Sequence, residues 1–452
     1  MDRVLEELDQ ASFELASKPV HNLRVAIRRC RSIAEGIQAL DPHSSWKKMR
    51  RKAKELFSSL GALRDCQVLT EWTSRIGETD DPATAALLQY FSHQEQALKE
   101  EVQRVFQKFD RKRWQHWATA LPRRAAHLRP GSDAFQCLAL ERWLQARRLE
   151  PGAIRTWKPA SLHRLRIAVK KLRYVVENFL PHLYPDWEKS FKEIQDILGE
   201  IHDLDLLLET AIRIGALESL EAGQRWQQRV HAERQNRIEH YRSRMLGESS
   251  FWNVWRSGLP RGEHARRAAL TKLETWAAFL GSDRQHLQRV GRFALQLYNQ
   301  LPQSSVSVIQ SRRFRELLRA AAILYAMGQG EHKRARRLIS KMDVPGNRKK
   351  QDFEMAALIA GYKSNTLKPI HLPLRNLAKR LAGIVRLAHA FDFNRDGAIR
   401  RISVASHKDY IVIHAEGLKS TSTLAEKIAA ARYLLEVSCG VPIMVKPLRA
   451  AK

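Results

Sequence analysis

The 452-residue chain is short of cysteine, of acidic charge and of long apolar runs, and each shortage excludes something. Its four cysteines, Cys30, Cys66, Cys137 and Cys439, lie far apart and form no C-x-x-C pair. A zinc ribbon and a disulfide framework are thereby excluded, and a reducing compartment is favoured. No apolar run approaches the roughly 20 residues that a membrane span needs. The opening Met1-Asp2-Arg3-Val4-Leu5-Glu6-Glu7 lacks the basic-then-apolar order of a secretory leader. These features predict a cytoplasmic protein. There is also no glycine-rich phosphate loop, no G-x-S-x-G and no pair of catalytic carboxylates.

Acid is scarce relative to base. Against 78 Lys and Arg stand 48 Asp and Glu, a net charge of +30. A surplus this large implies an extended polyanion: nucleic acid, polyphosphate or an anionic membrane surface. The surplus is uneven. Residues 1–250 hold 42 basic and 34 acidic side chains, a net of +8 (42 − 34), and the remainder 36 and 14, a net of +22 (36 − 14). With 44% apolar residues the chain can build real cores, and its length suits two or three domains of roughly 150 residues.

Most of the first 260 residues shows helical spacing of apolar side chains. Short turn signals divide it at Asp41-Pro42, Asp80-Asp81-Pro82, Arg129-Pro130-Gly131-Ser132 and Pro151-Gly152. A duplication organises this region. Val20-His21-Asn22-Leu23-Arg24-Val25-Ala26-Ile27-Arg28-Arg29-Cys30-Arg31 recurs as Leu162-His163-Arg164-Leu165-Arg166-Ile167-Ala168-Val169-Lys170-Lys171-Leu172-Arg173, an offset of 142 (162 − 20). Leu60-Gly61-Ala62-Leu63-Arg64-Asp65 matches Leu198-Gly199-Glu200-Ile201-His202-Asp203 at an offset of 138 (198 − 60). Trp114, Trp117 and Leu121-Pro122-Arg123 match Trp252, Trp255 and Leu259-Pro260-Arg261 at that same offset. Ordered anchors imply two similar helical units, about residues 1–123 and 133–261.

In the first copy, Leu23, Ile27, Cys30, Ala34 and Ile37 fall on one helical face, and His21, Arg24, Arg28 and Arg31 on its neighbour. The second copy repeats this with Leu165, Val169, Leu172 and Val176 beside His163, Arg166, Lys170 and Arg173. Like charges one turn apart repel by a few tenths of a kcal/mol per pair, ~0.2–0.5. Only Glu35 and Glu177 stand near to relieve them. A second basic line follows at Lys47, Arg50, Arg51 and Lys54, with a thinner counterpart at Lys189 and Lys192. Facing stripes of this kind would form a cationic groove for a chain of phosphates. His21 and His163 fit two roles, donation to phosphate or a hydrogen bond to backbone near a helix start.

These residues resemble the CHAD family, the conserved-histidine α-helical domain, over about residues 1–260. The resemblance implies a mainly α fold of two four-helix bundles related by a pseudo-twofold axis, lining a basic groove that binds inorganic polyphosphate. It passes that role to His21, Arg24, Arg28, Arg31, His163, Arg166, Lys170 and Arg173, and extends it to Lys47, Arg51, Lys54, Lys189 and Lys192. Asp65 and Asp203 close the family's Leu-Gly-x-x-x-Asp segment and read as structural.

Beyond residue 262 helical patterns continue at 266–280, 283–301, 314–327 and 374–390. Residues 399–405 and 409–415 then alternate as a β-hairpin, followed by a helix at 424–437 and a strand at 441–445. This region, 262–452, resembles the C-terminal helical HD-type part of the exopolyphosphatase/guanosine pentaphosphate phosphohydrolase family. The resemblance places His286 and Asp392 at the outer metal-ligand positions and Tyr325-Ala326 where the central His-Asp pair belongs. A divalent ion wants several converging N and O ligands, so His286 and Asp392 read as vestigial, with no metal and no cofactor expected. Basic runs at 333–337 and 348–350 surround this degenerate site.

The expectation is a non-catalytic polyphosphate-binding protein at polyphosphate granules, or a scaffold for polyphosphate-metabolising enzymes. A phosphohydrolase with an atypical HD site is the alternative enzyme reading. A non-specific nucleic-acid binder is permitted by charge alone, because nothing resembles a recognition helix, RNP sequence or zinc finger.

Overall fold

The computed structural model describes residues 1–78, 81–218, 220–281, 283–302, 312–329, 349–362, 372–419 and 423–448. The basic runs at 333–337 and 348–350 lie outside what is described of the side chains. Two compact units result, Met1–Gln38 with His43–Arg261, and Ala39–Pro42 with Gly262–Lys452. The fold is mainly α, with a small three-stranded sheet in the second unit. No helix among the described residues is long and apolar enough to cross a membrane.

The first unit holds ten helices among the described residues: α1 (Asp2–Phe13), α2 (Ser17–Gln38), α3 (Ser44–Ile76), α4 (Pro82–Gln107), α5 (Arg111–Ala125), α6 (Asp133–Thr156), α7 (Pro159–Phe179), α8 (Tyr184–Arg213), α9 (Leu220–Met245) and α10 (Phe251–Ser257). Their starts follow from local chemistry. Asp81 caps α4 by accepting from the Ala83 N–H at 3.1 Å, with Pro82 at the first helical position where no N–H is missed. Asp110 caps α5 through the Arg113 N–H at 2.9 Å. One turn signal fails: Pro151-Gly152 lies inside α6. The missing proline N–H costs one helical hydrogen bond, but the buried Glu150 just before it ties α6 to α9 and α10. That tertiary link overrides the local signal.

The repeat becomes a two-fold relation between helices. Counterparts touch each other: α2 packs on α7, α3 on α8 and α4 on α9. A helix that packs directly on its own two-fold counterpart does so at the axis, so these pairs mark it. At the α2–α7 crossing Gly36 leaves room for the ring of Phe179, which itself stacks on Phe135 at 4.1 Å. Below, one shared apolar cluster draws Leu69, Trp72 and Phe91 from the first half and Leu204, Leu207 and Trp226 from the second. The short closing helices bury Trp114, Trp117, Trp252 and Trp255. Trp255 donates to Ser190 Oγ at 2.9 Å and Trp252 to Glu150 Oε1 at 2.6 Å, so the indole N–H groups are satisfied inside the core.

The second unit contains α11 (Gly262–Phe279), α12 (Arg284–Gln300), α13 (Arg312–Met327), α14 (Lys349–Ala360) and α15 (Leu372–Phe391), then β1 (Ile402–Ser406), β2 (Ile411–Ala415), α16 (Thr423–Cys439) and β3 (Ile443–Pro447). The β1–β2 hairpin is antiparallel, pairing Ile402 with Ala415, and β3 adds parallel to β2 after the α16 crossover. A single apolar cluster spans its helices and the inward face of the sheet, with Phe293, Leu318, Val385, Ile413 and Leu435 at its centre.

Candidate anion-binding groove

In α2 the residues Leu23, Ile27, Ala34 and Ile37 are buried, and in α7 so are Leu165, Val169, Leu172 and Val176. Burial of these stripes fixes the rotation of each helix about its own axis. The cationic stripes must then face along the groove formed with α3 and α8. Arg24 lies against Gly61 of α3, where a Cβ would stand 3.4 Å from its Nη1. Arg166 lies against Gly199 of α8, where a Cβ would stand 3.6 Å from its Nη2. The Leu-Gly anchors are therefore the seats of two guanidinium groups.

Both guanidiniums carry a donor with nothing to donate to. Arg24 Nη1 and Arg166 Nε are buried and without a hydrogen-bond partner among the described residues. Arg24 and Arg31 also stack over the ring of Phe57, at 4.5 and 5.0 Å from its centroid. An aromatic face attracts a cation without consuming its N–H donors, so this support leaves the forks available.

The electrostatics of the cluster report mutual crowding. Burial, then the charges of Arg166 and Arg28, push Lys170 down to about 7. Burial lowers Arg24 as well, against the opposing pull of Asp65. Asp203 is pushed up to about 6 by burial and by Asp65 and Glu200, although Arg166 and Lys170 pull it down. Asp65 is raised by burial alone, against Arg24, Arg166 and Lys170. Asp65 nonetheless keeps solvent exposure. The two aspartates, read as structural, are thus the internal counter-charges of the groove.

His21 and His163 are both exposed, and no hydrogen bond from either to the backbone occurs among the described residues. Crowding and then neighbouring cations lower both, His21 under Arg64, Arg28 and Arg24, and His163 under Arg166 and Lys170. His163 faces His202 of α8 at 5.2 Å between rings, and His202 is pushed down to about 4 by burial and Arg166. Charge patterning does not single out His202 or its repeat counterpart Arg64. Their positions in the paired anchors, one residue before Asp65 and Asp203, carry the signal.

The remaining sites divide by how firmly they are already held. Arg173 donates to Gln195 Oε1 at 2.6 Å and approaches Glu177 at 3.4 Å, so much of its fork is engaged internally. Arg28 is exposed and borders a small cavity with Arg29, Arg173 and Tyr174 at the α2–α7 crossing. Lys47, Arg51, Lys54, Lys189 and Lys192 are exposed on the N-terminal arms of α3 and α8. Arg51 reaches Glu55 at 4.0 Å. Arg50, between them, is tied to Gln38 at 2.8 Å and Glu35 at 3.0 Å. Glu35 also receives Lys171 at 3.0 Å; burial pushes its carboxyl up, but Lys171, Arg50 and Arg142 bring it below its ordinary value.

In the second unit His286 and Asp392 do come together. His286 Nδ1 lies 2.7 Å from Asp392 Oδ2, and Arg289 Nε donates to both carboxylate oxygens at 2.9 Å. Burial opposes ionisation of Asp392, yet His286 and Arg289 hold its carboxyl below the usual range. Tyr325 is buried with its ring 5.4 Å from that of His389, which burial and His286 push down to about 4. The carboxylate is therefore committed to an internal arginine.

Residues 3–211 match the family model for the CHAD domain. The match runs from α1 into the last turn of α8, covering both cationic helices and both Leu-Gly anchors. No curated protein matches the chain.

Proposed function

We propose that the region matching the CHAD model binds inorganic polyphosphate along the α2/α3 and α7/α8 groove and does not turn it over. The observation that carries this reading is the pair Arg24 Nη1 and Arg166 Nε, buried cationic donors on counterpart helices with no acceptor among the described residues. An unsatisfied buried donor costs about 1–3 kcal/mol, more when charged, and a phosphate oxygen supplies the acceptor in its strongest, charge-assisted form. Further cations continue on both sides, at Arg28 and Arg31 on α2 and at Lys170 and Arg173 on α7, with the imidazoles of His21 and His163 beside them, which suits a chain of phosphates better than one. The role of the family named by the match supports the same ligand.

The second unit fits a supporting role rather than a chemical one. Asp392 is held by Arg289 and His286, and the Tyr325-Ala326 pair offers neither imidazole nor carboxylate. Its net positive charge would add retention of a long polyanion. Residence at polyphosphate granules, or scaffolding of polyphosphate enzymes, follows from that reading.

Competition decides it. Long-chain polyphosphate and a DNA duplex of equal charge are titrated against the full chain at one fixed salt concentration. Polyphosphate should bind much more tightly, with a log–log salt slope of about −0.7 per phosphate contacted, a value borrowed from single-stranded nucleic acid. Equal affinity for the two would replace this reading with a non-specific polyanion binder.

A further inference from the structure

The axial cluster is nearly two-fold symmetric, but the arms that lead away from it are not. Residues 44–58 form the N-terminal arm of α3, and at the offset of 138 their counterparts are 182–196, which enter α8 at Tyr184. The first arm carries Lys47, Lys48, Arg50, Arg51, Lys52 and Lys54 against Glu55, a net of +5 (6 − 1). The second carries Lys189 and Lys192 against Asp186, Glu188, Glu193 and Asp196, a net of −2 (2 − 4). Position by position, Asp186 stands where Lys48 does, and Glu188 where Arg50 does.

The structure keeps this difference at the groove. Lys54 lies one turn before Phe57 and two before Gly61, on the α3 face that meets Arg24 and Arg31. Lys192 occupies the equivalent place before Gln195 and Gly199 on α8. Lys54 has no ion-pair partner among the described residues, whereas Lys192 stands in the field of Asp196. Glu193 accepts from Arg244 at 2.6 Å, and with Asp196 and Glu200 it lines a cleft beside α9. Glu193 and Glu200 are neutralised there by Arg244 and Arg237, but the exposed Asp186, Glu188 and Asp196 remain along α8, whereas the α3 arm offers lysine and arginine.

We propose that a bound polyphosphate chain is anchored at the axial cluster and runs outward along the α3 arm only. The proposal rests on the polyphosphate reading of the groove and assigns a direction to it. Arg51 and Lys54 are then path residues, and their counterparts Lys189 and Lys192 are solvated charges outside the path. The second arm's acids would repel the strand, so a chain that overhangs the axis on that side gains nothing.

The matched pairs make the test. Full-length Arg51→Ala/Lys54→Ala and Lys189→Ala/Lys192→Ala variants are titrated with long-chain polyphosphate at low salt, beside Arg24→Ala/Arg166→Ala. All the arm positions are exposed, so circular dichroism should show unchanged helicity. The α3 pair should lose about tenfold in affinity and about 1.4 in salt slope, two contacts at about 0.7 each. The α8 pair should stay within twofold. Equal losses from the two arms would overturn the one-sided path, as would no loss from the α3 pair while the axial pair abolishes binding. Unchanged binding in the axial variant would overturn the groove reading itself, and the path with it.

Discussion

Gly61 of α3 lies beneath the guanidinium of Arg24, and the same relation recurs between Gly199 and Arg166. A methyl group at either glycine would meet the arginine at ordinary van der Waals distance, 3.4 and 3.6 Å, while anything larger would displace it. Alanine and valine should consequently separate. Gly61→Ala and Gly199→Ala should stabilise the helices by up to about 1 kcal/mol, because glycine is a poor helix former, and should leave polyphosphate affinity within about twofold. Gly61→Val and Gly199→Val should cost about tenfold in affinity with little change in the urea midpoint. Loss of binding in the alanine variants would mean that the glycines serve something other than room for the forks.

Lys170 makes binding depend on pH near neutrality. Its pKa falls from 10.5 to about 7, chiefly by burial and then by Arg166 and Arg28, so near pH 7 about half the molecules carry a neutral amine there. For the free protein the sign is that of a depressed lysine. Between about 7 and 10.5 the unfolded chain holds a proton that the folded one has released, so Lys170 adds stability as pH rises. Asp203 acts lower: raised from 3.8 to about 6, it takes stability away as pH climbs through that interval. A polyanion favours protonated Lys170, and binding should therefore take up protons. Affinity for long-chain polyphosphate should fall between pH 6 and 8.5, and calorimetry in buffers of different ionisation enthalpy should register the uptake. In Lys170→Arg, which stays charged, the fall should be blunted; an unaltered pH profile would remove Lys170 from the site.

What the sequence discloses and what it hides divides along the repeat. Apolar stripes at helical spacing locate α2 and α7 and the rotation of each, because burial alone sets it. The matching anchors make Gly61 and Gly199 equivalent positions, although the arginines they seat lie on other helices and leave no mark on that spacing. The patterns at 266–280, 283–301, 314–327 and 374–390 correspond to α11, α12, α13 and α15, whereas α14, short and without a clear apolar face, gives no signal. The last strand begins at Ile443 rather than 441, two residues late, since the chain must first turn past Gly440 and Pro442. The counter-charge role of Asp65 and Asp203 is not legible. Their partners Arg166 and Lys170 or Arg24 reach them across the helix crossings, and no spacing along one chain segment reports a crossing. The internal engagement of Arg173 through Gln195 is hidden for the same reason.

Glu150 should be the most sensitive buried polar position of the first unit. It is fully buried, and its Oε1 accepts from Trp252 Nε1 at 2.6 Å and from the Tyr241 hydroxyl at 3.0 Å, with Arg147 on its other oxygen. Removing the carboxylate orphans two buried donors, each worth about 1–3 kcal/mol when left unmade. Glu150→Ala should lower unfolding free energy by about 2–5 kcal/mol in urea titration. Burial already raises its pKa, so the neutral isostere Glu150→Gln should recover a good part of that loss. If both substitutions were equally mild, the link from α6 to α9 and α10 would not be what holds Pro151 inside a helix.

Arg289 bears on the last expectation, that the second unit performs no phosphoryl chemistry. Metal-assisted hydrolysis uses a bound cation to acidify water and to stabilise charge on the phosphoryl oxygens. Asp392 would be the principal anionic ligand, but its two oxygens already accept from Arg289 Nε at 2.9 Å, and Oδ2 meets His286 at 2.7 Å. A metal would have to displace the half-buried Arg289 guanidinium from the buried Asp392, and Tyr325 and Ala326 offer it no further ligand. Breaking a buried ion pair of this kind costs about 3–5 kcal/mol, which a weak two-ligand site does not return. Polyphosphate and guanosine penta- or tetraphosphate should accordingly release no phosphate with Mg²⁺, Mn²⁺ or Zn²⁺. Asp392→Ala should instead act on stability, leaving Arg289 without its buried counter-ion and lowering the melting temperature of the full chain. Turnover by the unaltered protein that vanishes in His286→Ala or Asp392→Ala would show that the arginine yields to a metal after all.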